Sequence, residues 1–106
     1  MKEETNSQIP KSFVLGSVKT TVVIKDKVIL DGDECGASND PYSMIIEIAK
    51  MVDTSECSSD YQRQSFYHEL VHQIFDILGY SDLSQNENLV QQFSLLLDQF
   101  EQTKEF

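Results

Sequence analysis

Basic residues are scarce in this chain. Eight Lys and Arg stand against 18 Asp and Glu in 106 residues, for a formal charge of −10. Such a balance opposes binding to a nucleic-acid backbone or an anionic membrane surface, so neither is expected as a partner. Long apolar runs are also missing: no stretch approaches the roughly 20 residues that a membrane-spanning helix needs. The polar start Met1–Pro10 is followed by no apolar run. No secretory signal is therefore expected, and the expected location is the cytoplasm. There are two cysteines, Cys35 and Cys57, far apart and in no CxxC pair. That argues against a zinc finger or a thioredoxin-like site and leaves two free thiols as the expectation. Two histidines are too few for a metal site built on three.

What is present suffices for one domain. Apolar residues make up 40% and aromatics 9% of the chain, enough to bury a single core. No internal repeat or low-complexity linker divides it. Residues 1–11 read as a mobile tail, 12–103 as a single domain and 104–106 as a C-terminal tail. From Val18, apolar and β-branched residues alternate with polar ones through Ile24, the period of a half-buried strand. Lys25-Asp26-Lys27 reads as a turn into Val28-Ile29-Leu30, completing a hairpin. Residues 31–41 are rich in turn formers and read as a loop. Tyr42, Met44, Ile46 and Ile48 alternate again, predicting a third strand.

After Lys50 the period changes. Ser59 to Gln62 fits a capping box, with Ser at N-cap and Gln at N3. Phe66, Leu70, Ile74 and Ile77 or Leu78 then recur at helical spacing, and Gly79 is a natural stop. Beyond a polar stretch, Leu89, Phe93, Leu96, Leu97 and Phe100 mark a second amphipathic helix. The expected fold is α+β: a small antiparallel sheet of about three strands, followed by two helices packed on one face.

The first of these helices carries His68-Glu69-Leu70-Val71-His72, an HExxH motif. Residues four apart share a helical face, so both imidazoles can address one ion. Glu69 lies about 100° round the axis from His68, placed to reach a metal-bound water without filling a coordination position. On zinc, that water would have its pKa lowered to around 7, and Glu69 would take its proton as it attacks a peptide carbonyl. The rival is a surface helix with two solvated histidines. Two histidines scattered at random would fall four apart, with Glu after the first, roughly once in six hundred chains.

A zinc site of this kind needs a third protein ligand and an open position for water. With no third histidine, that ligand is expected to be a carboxylate. Asp76 lies four beyond His72, but three ligands along one straight helix would span about 12 Å and cannot converge. Asp76 could instead orient His72. Glu87, fifteen residues after His72 near the start of the second helix, is the better candidate, with Asp82 as an alternative. Glu87 has a competing reading: Ser84-Gln85-Asn86-Glu87 is itself a capping box, with Glu87 at N3.

The run SFYHELVHQIFDILGY…NENLVQQFSLLLDQF resembles small phage and prophage HExxH proteins of minimal gluzincin type, similar in outline to the ImmA/IrrE peptidases. The layout covers about 12–103, and the specific matches lie in about 61–100. The resemblance implies zinc held by His68, His72 and Glu87, with Glu69 as catalytic base.

Other signals are weaker. Asp31 to Gly36 begins like an EF-hand loop, but Cys35 and Tyr42 stand where ligands are required and no helix precedes it. Tyr67 and Tyr80 flank the motif and could donate to an oxyanion, although aromatics on a core helix are more often packing. A cysteine nucleophile has no spare histidine to activate it. The expected function is therefore a zinc-dependent metallopeptidase acting on a protein or peptide, with Tyr42–Ala49 as the edge strand that pairs with extended substrate. The alternatives are a non-catalytic, zinc-stabilised interaction domain of phage or prophage origin, and an interaction module without metal.

Overall fold

A computed structural model describes residues 6–106. Strands β1 (Ser12–Leu15), β2 (Val18–Lys25), β3 (Val28–Leu30), β4 (Asp33–Cys35), β5 (Ala37–Asp40), β6 (Ile45–Ala49), β7 (Met51–Val52) and β8 (Ser55–Glu56) precede three helices. These are α1 (Ser59–Leu78), the single turn α2 (Ser81–Ser84) and α3 (Glu87–Thr103). The α+β class is as expected, but its content is richer than three strands and two helices. No helix among the described residues is long and apolar enough to cross a membrane.

The main sheet has four strands in the order β1-β2-β6-β5 and is mixed rather than antiparallel. β2 runs parallel to β6, with Val22 beside Ile46 and Ile24 beside Ile48. The expected hairpin between 18–25 and 28–30 does not form. β2 pairs instead with β1, and β3 pairs with β4. The reason lies in the turns. Two residues separate Leu15 from Val18 and Leu30 from Asp33, with positive φ at Gly16 (61°), Asp31 (53°) and Gly32 (86°). Two-residue connections with positive φ match the twist of paired strands, whereas Lys25-Asp26-Lys27 offers no such residue.

The strand expected over Tyr42–Ala49 begins only at Ile45. The Asp40 carboxylate accepts from the amides of Tyr42 (2.9 Å) and Ser43 (3.4 Å), and Met44 sits at φ 56°. These residues form a turn, and Tyr42 is almost fully exposed. β6 is interior, with Ile46 and Ile48 fully buried. The edges of the sheet are β1 and, beside β6, β5, which lies inside the segment read as a loop.

α1 lies against β5 and β6, and α3 packs along α1. The core joins Ile9, Ile46, Ile48 and Phe66, with Phe13, Val22, Ile24 and Leu70 packed round them. Part of the expected mobile tail, residues 1–5, lies outside the described residues. The remainder is ordered by packing. Ile9 is buried, and Asn6 donates to the Ser59 carbonyl and the Gln62 side chain, both at 3.1 Å. The expected capping box at Ser59 does not form: Ser58 is the N-cap, accepting from the Tyr61 amide at 3.0 Å, and the Gln62 side chain turns instead to Asn6 and the Ala49 carbonyl.

α3 is the helix the spacing predicts, but it is turned differently. It buries Val90, Ser94 and Asp98 and leaves Phe93, Leu96 and Phe100 exposed. The cause is Arg63 on α1. Its guanidinium is buried and meets Asp98 in a two-pronged pair at 2.6 and 3.1 Å, with Gln8 and Asp60 completing its partners. A buried charge without that partner would be costly, so the pair fixes which face of α3 turns inward.

Candidate metal centre

His68 and His72 sit one turn apart on α1, ring centroids 4.9 Å from each other. α2 turns the chain after Gly79, whose φ of 84° closes α1 in the left-handed conformation. The chain then returns along α1 as α3, which starts at Glu87. The Glu87 carboxylate meets both rings, one oxygen 3.1 Å from His68 Nε2 and the other 3.0 Å from His72 Nε2. The three ligand atoms lie within 4.8 Å of one another, a group that could hold a metal ion.

Glu87 is not part of a capping box. Ser84 closes α2, the N-cap of α3 is Asn86, and the Asn86 side chain accepts from the Leu89 amide at 3.0 Å. Glu87 is therefore the first helical residue, free to turn to the histidines, and a carboxylate there is favoured by the helix dipole. Asp82 is exposed and outside the cluster.

The far nitrogens of the two rings have their own partners. His68 Nδ1 lies 2.9 Å from the Gln91 side-chain carbonyl oxygen, which can only accept. His72 Nδ1 lies 3.2 Å from Ser84 Oγ, and that hydroxyl donates to the His72 carbonyl at 3.3 Å. Both Nδ1 atoms are placed to donate, which leaves each Nε2 facing a Glu87 oxygen, at 3.1 and 3.0 Å. In that tautomer an unprotonated ring offers Glu87 no hydrogen, and the two nitrogens and the carboxylate converge as electron-pair donors. A cation, either a metal ion or added protons, resolves that arrangement.

Ser84 takes the orienting role considered for Asp76. In the sequence Ser84 reads only as a helix cap, and nothing marks Gln91. The i, i+4 spacing of Glu87 and Gln91, matching that of His68 and His72 on an antiparallel helix, was the available signal.

Glu69 is outside the three-atom cluster but lines the same cleft as His68, His72 and Glu87, opposite β5 residues Ala37 and Ser38. Burial pushes its carboxyl up to about 7, with neighbouring Glu87 acting in the same direction and His68 against it. One lobe of the cleft, about 290 Å³, is bounded by Gly36, Tyr61, Gln64, Ser65 and Gln91. The other, about 460 Å³, is bounded by Leu30, Ser38, Pro41, His72 and Asp76. Tyr67 packs on the core cluster, and Tyr80 stands at the start of α2. Cys35 and Cys57 are free, and burial raises both thiols.

No protein-family model, curated protein or solved structure matches this chain.

Proposed function

We propose that the protein is a zinc-dependent metallopeptidase, as the resemblance to phage and prophage HExxH proteins implies. The observation that carries this reading is the convergence of His68 Nε2, His72 Nε2 and Glu87 from two helices, with both Nδ1 atoms held by separate acceptors. Two imidazoles and one carboxylate suit zinc and leave an open position. Bound there, Zn²⁺ supplies Lewis acidity and lowers the pKa of a coordinated water to about 7.

The remaining chemistry belongs to the chain. Glu69 is close to the ligands without being one, and its raised pKa suits a group that takes a proton from the attacking water near neutral pH. The same carboxyl then delivers that proton to the leaving amine nitrogen. β5 forms the wall of the cleft and an edge of the sheet, where an extended peptide can add by backbone pairing. Ser84 and Gln91 keep the two rings in the tautomer that binds metal.

The test is cleavage of a mixed peptide library by zinc-loaded protein, read by mass spectrometry. Glu69→Gln is expected to keep zinc and fold while lowering hydrolysis by about 10²–10⁴-fold. A zinc-loaded wild type that cuts nothing would return the site to a non-catalytic, zinc-stabilised interaction domain.

A further inference from the structure

α3 has two faces with opposite chemistry. The face against α1 is partly polar and buried: Val90, Ser94 and Asp98. The face against solvent is apolar, with Phe93 47%, Leu96 64% and Phe100 59% exposed. Together with Leu89 these residues are spaced four, three and four apart. That is the alternation of d and a positions in a heptad, the seam by which one helix packs lengthwise on another. Asp98 falls at an f position, opposite the seam. Phe93 is held in place from behind by an edge-on contact with Phe75, ring centroids 5.9 Å apart.

We infer that this seam is the contact between two copies of the chain, α3 against α3 across a two-fold axis. Charge selects the occupant. The chain as a whole carries −10, so most of its surface would repel a second copy. Of the acidic groups on α3, Glu87 is turned to His68 and His72, and the other two are matched. Asp98 is buried on Arg63, and Glu101 is paired with Lys104 at 3.1 Å. The g positions flanking the seam are Gln92 and Gln99, both neutral. A basic partner would find no free carboxylate along this strip, whereas a second copy meets no like charge and can pair amide with amide. The three exposed side chains offer about 100 Å² each. Two copies with their flanking glutamines bury about 1,000 Å², the lower limit for a specific interface. The dimer is therefore weak, with Kd on the order of 10 μM. It leaves His68, His72 and Glu87 open, because they lie on the α1 side of the helix pair.

Sedimentation velocity on the full chain, from about 5 to about 500 μM, tests this directly. The mass is expected to rise from 12.1 kDa to twice that value, with or without EDTA. Leu96→Glu, at an exposed position, is expected to weaken association at least tenfold with unchanged far-UV circular dichroism. Leu96→Gln, which adds no charge, is expected to weaken it less. A wild type that stays monomeric, a dimer that both variants leave intact, or one that EDTA dissociates would each overturn the inference. The last outcome would place a metal between the copies instead of the seam.

Discussion

Ser84 and His72 exchange two hydrogen bonds: the hydroxyl accepts from the ring at Nδ1 (3.2 Å) and donates to the residue's own carbonyl (3.3 Å). The single turn of α2 thus ties itself to the motif helix at the residue whose other nitrogen faces Glu87. The link fixes a tautomer, and its effect is measurable. Ser84→Ala is expected to weaken zinc binding about 10- to 100-fold, the usual cost of losing a partner behind a metal-binding histidine. Competition against a chromogenic chelator reads the change. Wild-type affinity in Ser84→Ala would show that the pair has no part in metal binding.

The Arg63–Asp98 pair governs the fold more than the site. Asp98→Asn leaves a buried guanidinium facing a neutral amide, although Asp60 and Gln8 still contact it. The expected loss is about 3 kcal/mol, at the lower end for breaking a buried ion pair because those partners remain. A urea melt at neutral pH checks the value. A loss under about 1 kcal/mol would mean that Asp98 does not set the orientation of α3.

Glu69 makes the stability of the metal-free protein depend on pH. Its carboxyl is raised to about 7 in the fold, chiefly by burial. A raised carboxyl favours folding while protonated, and that contribution is lost as pH climbs through about 4.5 to 7. In EDTA, Glu69→Gln is therefore expected to be more stable than wild type at pH 8, by about 2–3 kcal/mol, with the gap closing below pH 4.5. Denaturant melts at both pH values check the sign. An equal gap at the two values would contradict the burial assigned to this carboxylate.

The motif helix was legible because its signals are local. His68 and His72 at i, i+4, the apolar repeat from Phe66 and the Gly79 stop all lie within one element. Glu87 was legible from ligand arithmetic, but its freedom to act was not. That depended on Ser84 ending α2, which moves the cap of α3 to Asn86. The sheet was harder to read. Asp31-Gly32 and Gly16-Ser17 are two-residue turns, and treating the first as part of a loop hid β4 and β5. The parallel pairing of β2 with β6 leaves no local trace, since β2 alternates as an antiparallel strand would and the connection to β6 runs through a separate hairpin. α3 was read as a helix but with the wrong face inward, because apolar spacing cannot register that Arg63, 35 residues earlier, demands a carboxylate partner.

The central claim is that two helices deliver three ligands to one ion, and zinc titration of the metal-free chain tests it most directly. Isothermal calorimetry is expected to give one zinc per chain, with elemental analysis agreeing. Glu87→Gln preserves the Asn86 cap and removes the anionic ligand, so it is expected to bind zinc at least about 100-fold more weakly while its metal-free melt stays near wild type. Absence of zinc binding in the wild type, or undiminished affinity in Glu87→Gln, would contradict the account.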